Sequence, residues 1–93
     1  MIRSFTCKET EKLFQGIRSR KLPLTIQARA VVKLAQLDAA VTVDDLRLPP
    51  SNRLEVLSGK KAAQWSIRIN DQWRICFRFD ADGAHDVEIA DYH

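Results

Sequence analysis

Residues 65–79 read WSIRINDQWRICFRF, and the apolar side chains fall at every second position on both sides of one short polar break. Strict alternation is the mark of a half-buried strand, because successive side chains point to opposite faces. Trp65, Ile67 and Ile69 share one side of the first run, against Ser66, Arg68 and Asn70. Asn70-Asp71 supplies turn chemistry, after which Trp73, Ile75, Phe77 and Phe79 oppose Arg74, Cys76 and Arg78. Such a hairpin has an apolar face that something else must cover and a polar face that stays open. Two more strands extend it. "NRLEVL" precedes the hairpin, joined to it through the basic connector "SGKKAAQ". "ADG" turns the chain into a closing strand with Val87 and Ile89 inward and Glu88 and Tyr92 outward.

The cover comes from the first half of the chain. "MIRSFT" reads as a short opening strand carrying Ile2 and Phe5. Thr6 and Glu9 match the T-x-x-E capping box, which predicts a helix through Leu13, Phe14 and Ile17 to the basic "RSRKLP". Pro23 marks a break before a second helix, where Ile26, Ala30, Leu34, Leu37 and Val41 recur at helical spacing with Arg29, Lys33 and Gln36 opposite. "RLPPSN" is a loop, since two prolines exclude both a helix interior and a central strand. The predicted order is β-α-α-β-β-β-β, an α+β fold with two helices packed on one face of a small antiparallel sheet. At 93 residues the chain suffices for one modest core, so a single domain over 1–93 is expected.

Composition narrows the setting. The hydrophobic share of 45% and charged share of 29% are those of a globular protein. No stretch approaches the roughly 18 apolar residues a membrane helix needs, and the N-terminus lacks an apolar run of signal-peptide length. Cys7 and Cys76 are too few for a disulfide scaffold, and Cys76 reads as a buried thiol. The cytoplasm is the expected compartment, with no membrane partner.

The net charge of +3 and pI near 9.1 favour nucleic acid only weakly. The placement of the arginines says more. The open face collects Arg68, Arg74 and Arg78 with Glu88 and Tyr92, and Arg53 and Glu55 of the neighbouring strand can join them. Guanidinium groups present paired donors that match phosphate oxygens. Tyr92 could stack on a base or move a proton, and His93 is of a type that titrates near neutrality. The same residues also describe a solvated face: Glu55 an arginine's partner, Tyr92 a cover for the sheet end, His93 an exposed terminus, and His85 exposed and idle beside its turn. No cysteine–histidine cluster has metal-ligand spacing and no glycine-rich phosphate loop is present. The residues alone support a small α+β domain with an RNA-binding character.

Taken together, "NRLEVLSGKKAAQWSIRINDQWRICFRF" and the terminal "VEIADYH" resemble the RelE/HigB-type toxins of bacterial type II toxin–antitoxin systems, in the plasmid-maintenance or growth-inhibiting killer branch. The likeness runs nearly end to end, with the W-S-I-R-I-N-x-Q-W-R-I-x-F hairpin and the final D-Y-H its specific parts. It implies a RelE-like fold and a ribosome-dependent endoribonuclease that cleaves translated mRNA by 2′-hydroxyl attack, without metal or cofactor. It implies catalytic roles for Asp91, Tyr92 and His93. It also implies a phosphate-holding role for Arg68 and Arg74, to which the basic residues Arg53, Lys60, Lys61 and Arg78 are added as RNA contacts. The partners implied are the ribosome, its mRNA and a helix-turn-helix antitoxin, with operator DNA reached only through the antitoxin complex. There is one departure. HigB-type enzymes can carry a catalytic histidine where this chain has Glu55, and a glutamate, with an ordinary pKa of about 4.3, is a poor acid at neutral pH. Two alternatives follow: a toxin that binds ribosomes or perturbs their assembly with little or no cleavage, and a ParE-like gyrase inhibitor. The D-Y-H terminus speaks against the second.

Overall fold

The computed structural model describes residues 1–57 and 64–91. Two helices, α1 (Lys8–Phe14) and α2 (Leu24–Ala39), lie on a four-stranded antiparallel sheet. Its strands β1 (Glu55–Val56), β2 (Gln64–Arg68), β3 (Trp73–Asp80) and β4 (Gly83–Asp91) neighbour one another in chain order. Antiparallel partners directly opposite share a face, so the rows Ile67–Ile75–Ile89 and Trp65–Phe77 stand on the helix side. There they close a core with Leu13, Ile26, Ala30, Leu34 and Leu37. The alternation therefore reads correctly along both central strands.

The helices begin and end elsewhere than expected. Cys7, not Thr6, is the N-cap of α1, and no side chain caps it. Glu9 instead accepts from Ser19 Oγ at 2.7 Å and Lys12 Nζ at 3.3 Å, tying α1 to the interhelix loop. The helix stops at Phe14 because Gly16 takes φ +85°, with Gly16 N–H donating to the Leu13 carbonyl and Ile17 N–H to that of Lys12. That is a Schellman closure, and it leaves Ile17 51% exposed rather than in the core. Val41 falls beyond the end of α2 and is 82% exposed. The capping box that does form is Thr42 with Asp45, opening a 3-10 turn over Val43–Arg47.

Lys33 also departs from the expected outer face, being only 7% exposed. Its Nζ donates to Asn52 Oδ1, and the Asn52 amide donates in turn to Gln36 Oε1 and to the carbonyls of Leu46 and Leu48. Asn52 is fully buried and fastens the proline-containing segment, including a second 3-10 turn over Pro50–Asn52, to α2. Replacing it by alanine strands buried donors and acceptors together, so a loss of roughly 2–4 kcal/mol is expected by urea denaturation. A loss within experimental error would show that this segment contributes nothing to the fold.

The opening segment is not a strand of the sheet. It runs parallel to β4 and touches it at two isolated bridges, Ile2 with Ala84 and Phe5 with Val87. Met1 O, Ser4 O and Oγ, and Thr10 Oγ1 accept the outward N–H groups of Ala84, Val87, Asp86 and Ile89. The outer edge of β4 is thereby covered, which removes a template for unwanted strand pairing.

Candidate functional site

The face turned away from the helices is organised in rows. Register places Arg68 opposite Arg74 and then Ala90, and Glu55 in line with Ser66, Cys76 and Glu88. Gln64, Arg78 and His85 form a third row. Arg68, Arg74 and Arg78 thus share one face, as the alternation predicts, and Glu55 shares it too.

Their hydrogen bonds separate them. Arg68 pairs with the Asp71 carboxylate across the β2–β3 turn. Arg78 reaches Asp80 at 3.1 Å and Asp86 at 3.4 Å. Arg74 instead leans across β2: its Nε donates to Ser66 Oγ at 2.8 Å and its Nη2 to the Arg53 carbonyl at 2.6 Å. Among the described residues no carboxylate pairs with Arg74. Neutral oxygens fix this guanidinium while leaving its charge available. The Arg53 carbonyl can reach it because Arg53 takes φ +44° after the Pro50–Asn52 turn. The Arg53 side chain is exposed. Ser66 was not singled out from the sequence; the signal was a small hydroxyl on the polar side of β2, one strand away from Arg74.

Near the β3–β4 turn the alternation slips. Cys76 pairs with Glu88 but Arg78 with His85, so three steps along β4 oppose two along β3. The irregular residue is Asp86, at φ +54°, a conformation aspartate tolerates better than most. Its N–H donates to Ser4 Oγ at 2.8 Å. This bulge brings His85 onto the arginine face and sends Ala84 into the core. His85 is not idle: its Nε2 lies 2.7 Å from Asp82 Oδ1 and 3.1 Å from Asp80 Oδ1. Uninterrupted alternation from Val87 would have turned a histidine inward, and that misfit was the available clue.

The three side chains each offer a ligand atom within 4.8 Å of the others, an arrangement the sequence spacing did not suggest. Their observed chemistry is mutual hydrogen bonding. The Asp82 hydrogen bond pushes the His85 imidazole above its ordinary 6.5; burial opposes it, and the charges of Asp80 and Asp82 add to the rise against a small opposing effect of Arg78. Asp82 is held down to about 2, through its hydrogen bonds with Asp80 first and His85 second. A raised histidine stabilises below its unfolded value and loses that contribution as pH rises through its folded one. A lowered aspartate stabilises above 3.8 and loses it as pH falls toward about 2. Both contributions are therefore complete only between 3.8 and 6.5. An NMR titration should place the His85 midpoint above 6.5, and Asp82→Asn should bring it down. An unmoved midpoint would show that Asp82 does not govern this imidazole.

The other expected site residues divide plainly. Glu55 is exposed on the short edge strand. Asp91 stands opposite Trp73, in a row on the helix side of the sheet, at the exposed end of β4, where Gln72 Nε2 donates to it at 3.1 Å. Lys60, Lys61, Tyr92 and His93 lie outside the described residues. Cys76 is buried and in no disulfide. No helix among the described residues is long and apolar enough to cross a membrane.

Two helices on one side of a four-stranded antiparallel sheet, with arginines across the other side, form a RelE-like α+β fold. The family model for the RelE-like toxin of the type II toxin–antitoxin system HigB matches residues 3–93, and the chain belongs to that HigB-like family. It is 44% identical over 62 residues to Toxin HigB-1 of Vibrio cholerae serotype O1, a match covering 67% of this chain and 65% of that protein. An uncharacterized protein of Haemophilus influenzae is 35% identical over 74 residues, 80% of this chain and 73% of the other. Among solved structures, a YoeB/ParE toxin from Agrobacterium tumefaciens superposes with a TM-score of 0.56 at 20% identity, over 99% of this chain and 98% of that one. That last likeness speaks for the fold alone.

Proposed function

We propose that this protein is the growth-inhibiting toxin of a type II toxin–antitoxin pair and acts as a ribosome-dependent endoribonuclease on translated mRNA. The observation that carries the reading is Arg74, fixed by Ser66 Oγ and the Arg53 carbonyl on an open sheet face directly opposite Arg68. A guanidinium held in place before substrate arrives can stabilise the charge that builds on a phosphate during attack by the neighbouring 2′-hydroxyl. Arg68 and Arg78 are paired at the surface, where an ion pair contributes at most about 1 kcal/mol, so RNA phosphates can exchange for their carboxylates. Tyr92, His93 and Glu55 would move the protons, and Asp91 would position its neighbours. Metal has no step in this chemistry.

Family membership supports an antitoxin partner, of the helix-turn-helix kind, and the cytoplasm as the place of action. Operator DNA would be met only through the toxin–antitoxin complex. Residues 1–93 would act as one domain.

The test is mapping mRNA 5′ ends on purified translating ribosomes with the wild-type protein and with Arg74→Lys. New ends inside A-site codons are expected, and the lysine variant, which keeps the charge but loses the planar fork, should produce roughly 100-fold fewer. Growth arrest without any new ends would overturn the nuclease. A toxin that blocks the ribosome by binding would then be the reading, with Glu55 in place of a histidine as the reason.

A further inference from the structure

A second cationic feature adjoins the rows just described at Arg68. Between α2 and the end of β2 is a concavity of about 840 Å³ into which Arg29, Lys33 and Arg68 all contribute. None of the described residues lining it is acidic. Arg29 and Lys33 stand one helical turn apart on α2, where like charges repel. Arg29 is anchored by Nη1 donating to the Ile69 carbonyl at 3.3 Å. Lys33 is 7% exposed, yet its described partner is the neutral Asn52 amide oxygen. A buried ammonium ordinarily finds an opposite charge, and burial followed by the nearby Arg29 charge pushes this one down from its ordinary pKa. Both features are costs to the free protein that an anion in the groove would relieve. Thr25, Ser51 and Asn70 add neutral hydrogen-bonding groups, and Val32, 55% exposed, adds an apolar wall that suits a ribose or base. Arg68 belongs to this groove and to the open face alike, so the two surfaces are continuous.

We propose that this groove is a second RNA site, in which Arg29 and Lys33 hold a backbone phosphate of the strand that crosses the open face. The proposal rests on the RNA reading of that face and goes beyond it by giving the strand a path past Arg68 onto α2. Arg29 and Lys33 are binding residues here, remote from the reacting phosphate.

The probe is a 2′-O-methylated single-stranded hexanucleotide, which lacks the attacking hydroxyl and cannot be cleaved. It is titrated into ¹⁵N-labelled protein at about 50 and about 200 mM salt. Saturating shifts at the Arg29, Ser51 and Asn70 amides, together with those at Arg74, are expected. In Arg29→Gln the affinity should fall roughly five- to tenfold and the salt slope should become shallower by about 0.7, the loss of one phosphate contact. Arg47→Gln, at an exposed arginine that pairs with Asp44 and does not line the groove, is the charge control and should change neither by more than half as much. Shifts confined to the open face, equal losses in the two variants, or no shift anywhere would overturn the groove. So would filling of the groove by the antitoxin alone, which would assign it to a protein partner. Mapping of A-site ends judges the nuclease separately, since Arg29 and Lys33 have no part in its chemistry.

Discussion

His93→Ala should lower cleavage of ribosome-bound mRNA by roughly 100- to 10,000-fold, the range contributed by one positioned proton donor or acceptor. The expectation follows from what the open face supplies and what it lacks. Arg68, Arg74 and Arg78 can neutralise and stabilise phosphate charge, but a guanidinium does not exchange protons at neutral pH. Glu55 is a carboxylate, suited to take a proton from a 2′-hydroxyl and ill suited to return one to the leaving 5′-oxygen. The family resemblance gives the acid's role to His93 or Tyr92, and His85, the imidazole on the described part of this face, is already held by Asp82 and Asp80. His93→Gln, which preserves hydrogen bonding without a titrating proton, should fall as far as the alanine variant. A melting curve matching the wild type is the check that the fold survives. Undiminished cleavage by His93→Ala would remove the histidine from the mechanism and leave Tyr92→Phe as the next variant to decide it.

Gly83→Ala should cost about 3–5 kcal/mol, a large share of the 5–15 kcal/mol that stabilises a domain. Two effects add. Gly83 sits at φ +129°, which side chains rarely adopt, and a β-carbon there would lie 2.1 Å from the Met1 carbonyl oxygen. The clash is with backbone, so the opening segment has to leave β4 and give up the Ala84–Met1 and Arg3–Ala84 hydrogen bonds. Gly16 provides the comparison, since φ is +85° but nothing lies within 4 Å of its added β-carbon. Gly16→Ala should therefore cost only about 1 kcal/mol of backbone strain. Equal losses in urea denaturation of the two variants would show that the opening segment is not held as described.

The sheet was legible because its two central strands keep one period on both sides of the Asn70–Gln72 break, and a period of two leaves little freedom once one face must be buried. The helix ends were not. Thr6 and Glu9 have the spacing of a capping box, but Glu9 finds a tertiary partner in Ser19, and a long-range bond displaced the local one. Gly16 carried the real stop signal. Lys33 looked like a surface residue because its partner, Asn52, lies nineteen positions away in a loop whose path no period encodes. The arginine face was legible as a composition of one face. How each arginine is held was not, because Arg74 depends on the backbone of Arg53 and Arg78 on a bulge at Asp86. Asp91 shows the same limit from the other direction: its neighbourhood in sequence suggested one site, while its row in the sheet lies with Trp73.

That bulge also bears on how such a chain can change over generations. A sheet without slack passes every inserted or deleted residue down the strand as a reversal of inside and outside. Here the slack sits between the tip and the far half of β4, at a residue whose amide is satisfied by Ser4 from outside the sheet. Turn length at Ala81-Asp82 can therefore drift, with the mismatch absorbed at Asp86, while Glu88 and Ala90 keep their orientation. Relatives with hairpins of other lengths should carry their irregularity at this same place and leave the arginine rows in phase.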